Sequence, residues 1–364
     1  MRNFDSHIAR NTSELEYLSS SSKTISTLDL STITNLDGIK NFNSLRHLNI
    51  YAMNALELYE DCLVDTSNFS RLHLLKSLVF ENDDHVREVK VNRLSNLLRL
   101  SITSCHNLRK ISGLKSLSNL RELIIYDTPN IDLDFLNSVV EFINSSQNLS
   151  RIILDINFFN FFDERQLEIL RENNVMFAEK LGIKDNYIFT FKMMEEFNKR
   201  VLEIYHQIHE KCKNSDDILY AIYEYVRSID YDDESLLNRQ KYLENGGIIY
   251  RYSNRYKSIN SSYSALLKNK AVCEGYVNLL KYFYNLEGVD LYPVICDYKN
   301  SSHVAAKALI DGVELYFDPE LDHRFNNHND YGISKDEFLR NHDILFYRDN
   351  FDHLSNSPTR KRDE

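Results

Sequence analysis

Two hydrophobic rhythms divide this chain. In the first half the pattern apolar-x-x-apolar-x-apolar recurs as Ile25/Leu28/Leu30, Leu45/Leu48/Ile50, Leu75/Leu78/Phe80, Leu97/Leu100/Ile102, Leu120/Leu123/Ile125 and Leu149/Ile152/Leu154. Successive starts lie 20, 30, 22, 23 and 29 residues apart. The alternating part of each unit predicts one short strand, and no unit can bury its apolar face alone. Stacking the units side by side makes one shared core, which predicts an α/β repeat solenoid. After residue 185 the spacing becomes helical: Met194, Phe197, Val201, Ile204 and Ile208 predict an amphipathic helix over 192–212. Ser215 offers the cap of a second helix, whose stripe is Ile218, Ile222 and Val226, with Leu219 and Tyr223 beside it. Residues 233–260 keep no period and carry Gly246-Gly247, so a long surface loop is expected there. Tyr276, Leu279, Leu280 and Phe283 again have helical spacing, starting at Cys273 and stopping at Gly288. Residues 303–310 and 313–319 alternate around Asp311-Gly312, a pair suited to a type I′ hairpin turn. Ser334-x-x-Glu337 forms a capping box, predicting a last helix from 334 to about 341. The domains expected are thus 1–184, including an amino-terminal cap, then 185–350, and a polar disordered tail at 351–364.

The most regular unit, Leu97-x-x-Leu100-x-Ile102-x-x-Cys105-x-x-Leu108, resembles the leucine-rich repeat family. Cys105 takes the family's Asn/Cys position, which implies a structural thiol at the turn. The other units carry Ile33, Met53, Asp83 and Thr128 there, so the resemblance, over about residues 20–180, is irregular. It implies a concave binding face formed by the residues between the inward leucines. Those positions supply Arg46, His47, Lys76, Arg99, Arg121 and Arg151 against a single acid, Glu122. The next outward column, Asn49, Val79, Ser101, Ile124 and Ile153, is expected to add apolar contacts. A protein or peptide with an acidic segment is the partner that such a face suits.

Composition narrows the remaining possibilities. The chain has 364 residues, 43% of them hydrophobic, enough for two domain cores, and a net charge of −11. That balance argues against a nucleic-acid binder relying on global charge. No stretch approaches the roughly 18 uninterrupted apolar residues of a membrane helix, so no membrane partner is expected. Cysteines at 62, 105, 212, 273 and 296 include no CxxC pair. Neither a disulfide framework nor a metal cluster is suggested, no cofactor is implied, and a reducing, cytoplasmic setting fits. Cys62, Cys212 and Cys296 are expected to be inert buried thiols, and His323, His328 and His342, which show no metal-ligand spacing, to be surface residues.

Cys273 differs in its setting. It falls in a first helical turn, where unpaired N–H groups and the helix dipole favour an anion and can lower a thiol pKa below its ordinary value of about 8.5. Pairing across Asp311-Gly312 sets Ile310 opposite Val313, His303 opposite Glu320 and Ala305 opposite Asp318. Asp318 is then on the diagonal of His303, at a backbone separation of roughly 7–8 Å, within reach of an Asp–His hydrogen bond. With the thiol packed on that side of the sheet, the imidazole could take its proton while the carboxylate fixes the tautomer.

The order Cys273, His303, Asp318, with the strings SSYSALLKNKAVCEGY, YFDPELD and AIYEYVRSIDYD, resembles the transglutaminase-like superfamily of papain-related cysteine hydrolases over about residues 215–325. The resemblance implies an α+β transglutaminase-like domain with an antiparallel sheet and a nucleophile-bearing helix. It makes Cys273 the nucleophile, His303 the general base and Asp318 the orienting acid. Tyr263 matches a recurring aromatic position, either in the site wall or as an oxyanion donor, or else in the core. Two positions depart from the family: Ala305 stands where Trp is common, and Glu320 where Thr follows the Asp-Pro. Glu320 could compete with Asp318 for the ring. The implied activity is thiol-dependent acyl transfer on a protein or peptide, peptidase or amidase action being favoured over cross-linking or deamidation. Peptide N-glycanase chemistry is disfavoured because the zinc-binding cysteine pairs are missing. The rivals are a catalytically silent interaction scaffold and an enzyme that modifies one dedicated peptide through its acidic leader.

Overall fold

The computed structural model describes residues 6–21, 24–31, 36–51, 66–83, 86–181, 185–244, 258–299 and 301–347. In the first half each repeat places one short strand in a shared sheet, and the units starting at Leu75 and Leu97 add a second strand apart from it. The strands are β1 (Ser6–Ala9), β2 (Thr27–Ser31), β3 (His47–Tyr51), β4 (Ser77–Glu81), β5 (Glu88–Lys90), β6 (Arg99–Thr103), β7 (Lys110–Ser112), β8 (Glu122–Tyr126), β9 (Arg151–Asp155), β10 (Met176–Leu181) and β11 (Asp185–Phe189). Nine of them form one sheet in the order β1-β2-β3-β4-β6-β8-β9-β10-β11, and β5 pairs with β7 apart from it. From β2 to β9 the pairing is parallel and in register. Leu28, Leu48, Leu78, Leu100, Leu123 and Ile152 form one row, and Leu30, Ile50, Phe80, Ile102, Ile125 and Leu154 a second.

Both rows are buried, as are Ile25, Leu45, Leu75, Leu97 and Leu120 ahead of the strands. Truncating one of these leucines to alanine should cost about 2–5 kcal/mol. Side-chain amides tie successive units together: Asn96, Asn119 and Asn148 donate to the carbonyls of His73, Ser95 and Ser118, each at 2.8 Å. Cys105 is buried, and its thiol donates to the Thr103 carbonyl at 3.5 Å, a local structural contact. Ile33 and Met53 lie outside the described residues. Helices α1 (Thr12–Ser21), α2 (Leu133–Ser145) and α3 (Glu164–Glu172) complete this half, α3 opening on an Asp163/Gln166 capping box.

The chain separates into two compact units, residues 1–178 with 189–191, and residues 179–188 with 192–364, the division falling inside the last two strands of the sheet. After the last strand of that sheet come α4 (Phe191–His209) and α5 (Ser215–Arg227). The cap of α5 is Asn214, not Ser215: its Oδ1 accepts from the Asp217 amide at 2.9 Å. The long loop expected from residue 233 is instead a helix as far as residue 244, α6 (Asp233–Glu244). Asp232 caps it by accepting from the Ser235 amide at 3.0 Å, and Asp233 and Glu234 complement its dipole. Without a sustained apolar stripe, its sequence gives no periodicity to detect. Residues 245–257, with the Gly246-Gly247 pair, lie outside the described residues, as do Cys62 and the tail 351–364.

Next come β12 (Asp230–Tyr231) and β13 (Lys270–Ala271), which pair in parallel, with α7 (Ser262–Lys268) between them and α8 (Cys273–Leu286) following at once. A five-stranded antiparallel sheet, β14 (Leu291–Tyr298), β15 (Ser301–Ile310), β16 (Val313–Phe317), β17 (Tyr331–Ile333) and β18 (His342–Tyr347), runs in the order β17-β16-β15-β14-β18. Helix α8 packs across β14 and β15. Asp311 (φ 51°) and Gly312 (φ 78°) adopt the positive φ values that a type I′ turn demands, and the register runs from Ile310↔Val313 to Ala306↔Phe317. The strand stops there, two residues short of expectation. Asp318 caps α9 (Pro319–Phe325) and Pro319 takes its first position, so Glu320 sits in a helical turn rather than on a strand facing His303. The Ser334/Glu337 capping box opens only a short helix, α10 (Lys335–Phe338), and β18 follows. No helix among the described residues is long and apolar enough to cross a membrane.

Candidate active site

Cys273 owes its position to a close approach. Helix α8 presses on the 259–261 backbone through Gly275, where a Cβ would lie 2.8 Å from the Ala271 Cβ and 3.0 Å from the Ile259 carbonyl oxygen. The Val272 amide donates to that same carbonyl at 3.1 Å. The thiol therefore leaves the first position of the helix, half-buried, with the positive end of the dipole behind it.

Its partner comes from the sheet. His303 on β15 is buried, and its Nε2 lies 2.6 Å from Oδ2 of Asp318. The two oxygens of Asp318 do different work. Oδ1 accepts from the Leu321 amide at 3.1 Å, capping α9, while Oδ2 faces the imidazole. The Asp-Pro pair thus starts the helix and aims the carboxylate at once. Cys273 also bears on this imidazole and helps to raise its pKa; with Nε2 engaged by Asp318, Nδ1 is the edge left for a partner. Burial presses the His303 pKa down, but the Asp318 charge and hydrogen bond and the contact with Cys273 hold it well above its ordinary value. For Asp318, burial acts upward and is outweighed by His303, by hydrogen bonds from both histidines and by the Leu321 amide, bringing it to about 2.

Several residues around this core were not singled out from the sequence. The Nε2 of His342 lies 3.2 Å from the same Asp318 Oδ2, and its Nδ1 lies 3.1 Å from the Phe338 carbonyl. The expectation that His342 is a surface residue is therefore wrong: it is 1% exposed and stacked on Phe338 at 4.0 Å. It opens β18, a strand that sequence periodicity did not reveal. His323 is also partly buried, its Nδ1 2.8 Å from the Arg227 carbonyl, whereas His328 is exposed. Cys296 is buried and its thiol is pushed up to about 12, chiefly by burial, while Cys212 is only half-buried. His303, Asp318 and His342 place three ligand atoms within 4.8 Å of one another, a donor set of the kind that holds zinc, although here these atoms bond to each other.

Glu320 stands on the other edge of the ring, Oε2 at 3.5 Å from His303 Nδ1. Its Oε1 is 3.3 Å from Arg324 Nε, and the Arg324 guanidinium lies 4.8 Å over the ring of Tyr231. Tyr231 borders both Cys273 and Glu320, and is raised to about 12 by burial first and then by these two neighbours. Its position follows from the β12–β13 pairing, Tyr231↔Ala271, two residues ahead of the thiol. Tyr263 is half-buried on α7, its ring 6.1 Å from that of Tyr187.

The basic positions of the first unit fall into two columns. Arg46, Lys76 and Arg121 immediately precede β3, β4 and β8 and are exposed, while His47, Arg99 and Arg151 are the first residues of their strands. Burial, then Lys76 and Arg46, lower the pKa of His47, the mark of a locally positive field. Farther along, the register sets Glu122 between Arg99 and Arg151, 3.5 and 3.8 Å away, so these two cations are partly spent on one acid. The apolar column is also narrower than expected: Ser101, Ile124 and Ile153 are buried, leaving Asn49 and Val79 on the accessible part.

No family model matches the chain, and no curated protein does. Among solved structures it is similar to one described as the crystal structure of a TGase, with a TM-score of 0.27 and 16% identity over 50% of this chain and 53% of that one. The chain spans about half the length of that protein.

Proposed function

We propose that the second unit is a thiol-dependent acyl-transfer enzyme acting on a protein or peptide, and that the first unit is a leucine-rich repeat solenoid that holds the partner. One observation carries the reading: a buried carboxylate holds the His303 imidazole at 2.6 Å, and a helix-borne thiol bears on the same ring. The in-register parallel rows of leucines support the solenoid.

The chemistry follows from the charges. His303 takes the Cys273 proton, and the sulfur attacks a carboxamide or peptide carbonyl carbon. The tetrahedral oxyanion forms beside the Cys273 amide at the very start of α8, ahead of the Gly275 amide, which already donates to the Val272 carbonyl at 2.8 Å; one such donor contributes about 3–4 kcal/mol of transition-state stabilisation. As the C–N bond breaks, the imidazolium returns its proton to the leaving amine, and a thioester remains. His303 then takes a proton from water, which attacks the thioester. A carboxylic acid leaves and the thiol is restored. Hydrolysis is the favoured outcome, with an amine in place of water giving cross-linking.

The test is a complex peptide library incubated in ¹⁸O-labelled water. New carboxyl groups, at chain termini or at former glutamines, should carry ¹⁸O with the wild type and not with Cys273→Ala. Identical products with both proteins would favour an inert scaffold.

A further inference from the structure

Resting on that thiol–imidazole reading, we infer that Glu320 is a positioning residue that competes with the Cys273 sulfur for the Nδ1–H of His303 and so restrains the nucleophile. The geometry is direct. Nε2 is committed to Asp318 at 2.6 Å, and the Glu320 carboxylate stands 3.5 Å from Nδ1, the one ring edge then left for the sulfur.

Glu320 is 2% exposed and is anchored in the first turn of α9 by the Asp318-Pro319 start, so its carboxylate cannot swing away into water. Its surroundings are mixed. His303 on β15 and Arg324 on α9 favour the anion, whereas Asp318 and Asp233 on α6 press against it, with the neutral phenols of Tyr231 and Tyr276 nearby. Burial, the largest influence, raises its pKa. Arg324, itself 45% exposed, is the cation that solvent or a bound molecule can most readily draw away.

An ionised Glu320 acts twice. It draws the Nδ1–H toward oxygen, and it sets a negative charge beside the place where the sulfur must become negative. A like charge at this range disfavours the thiolate. A chain with a neutral residue at 320 should therefore alkylate faster at low pH.

Iodoacetamide reads this without any substrate. The thiolate forms a C–S bond, iodide leaves, and the thiol proton passes to His303. The rate at Cys273 is followed by peptide mapping from pH 5 to 9 in the wild type, Glu320→Gln, Glu320→Thr and His303→Ala, each with its thermal melting curve. Glu320→Gln and Glu320→Thr should shift the labelling curve to lower pH by about one unit, near tenfold faster at pH 6. His303→Ala should slow labelling at pH 6. If His303→Ala slows labelling and neither substitution at 320 shifts the curve, the inference is overturned and the thiol–imidazole reading stands. If His303→Ala leaves the rate unchanged, both fall. Glu320→Thr guards against misfolding, because an unfolded chain would label all five cysteines together.

Discussion

The Nε2 atom of His342 lies 3.2 Å from Oδ2 of Asp318, the oxygen that also receives His303. Asp318 is therefore held from two sides, by an imidazole it orients and by one that orients it. Phe338 supports His342 in turn, through its carbonyl and its stacked ring. Removing a hydrogen bond to a charged group costs about 1.5–3 kcal/mol. His342→Ala should then lower kcat by roughly 10–100-fold while KM changes little. His342→Gln, which can still donate to Asp318, should recover part of the loss. Unchanged kcat in the alanine variant, with retained folding, would show that Asp318 needs no second anchor.

Two carboxyl groups of the second unit respond to pH with opposite signs. Glu179 is raised from 4.5 to about 8, first by burial, although its Oε2 accepts from the Ser262 amide at 2.9 Å. The folded chain keeps this proton where the unfolded chain has lost it, so stability falls as pH rises from 4.5 toward 8. Asp318 is depressed to about 2, so its contribution is complete above 3.8 and fades only as pH falls toward 2. Glu179→Gln keeps the acceptor and removes the charge. Its melting temperature should match the wild type near pH 5 and exceed it at pH 8, by the equivalent of about 3–5 kcal/mol. Parallel melting curves across that range would contradict the assignment.

How far the chain could be read before its structure depended on local rules. The Asp311-Gly312 turn dictates a two-residue loop, and from it the pairing to Phe317 follows by counting. The same counting fails one step later, because Asp318-Pro319 is a better helix start than a strand continuation. Glu320 nevertheless arrives near the ring, by a helical turn rather than a ladder. His342 could not be found by counting. It belongs to a strand that pairs with β14, Tyr298↔His342, some forty residues away, and no motif fixes that register. Helix α6 escaped because only its capping and charge, not an apolar stripe, mark it.

The charge pattern on the repeats yields a separate expectation. Arg46 and Lys76 stand at exposed strand starts, whereas Arg99 and Arg151 share Glu122. A fluorescein-labelled polyglutamate peptide serves as the probe. Its affinity should drop about two- to fivefold per reversed charge in Arg46→Glu and Lys76→Glu, and rise comparably in Glu122→Gln. Both effects should shrink as salt increases. Equal affinity for all four proteins would remove the acidic-partner proposal without touching the thiol site.

The central claim is that the sulfur of Cys273 is activated by a carboxylate-held imidazole. The most direct measurement is brief exposure of the native wild-type chain to iodoacetamide at pH 6, followed by quantitative mapping of the peptides that contain Cys62, Cys105, Cys212, Cys273 and Cys296. Modification of Cys273 well ahead of the other four, and lost in His303→Ala, is the predicted result. Labelling of Cys273 no faster than that of half-buried Cys212 would contradict the claim and leave an interaction protein in place of an enzyme.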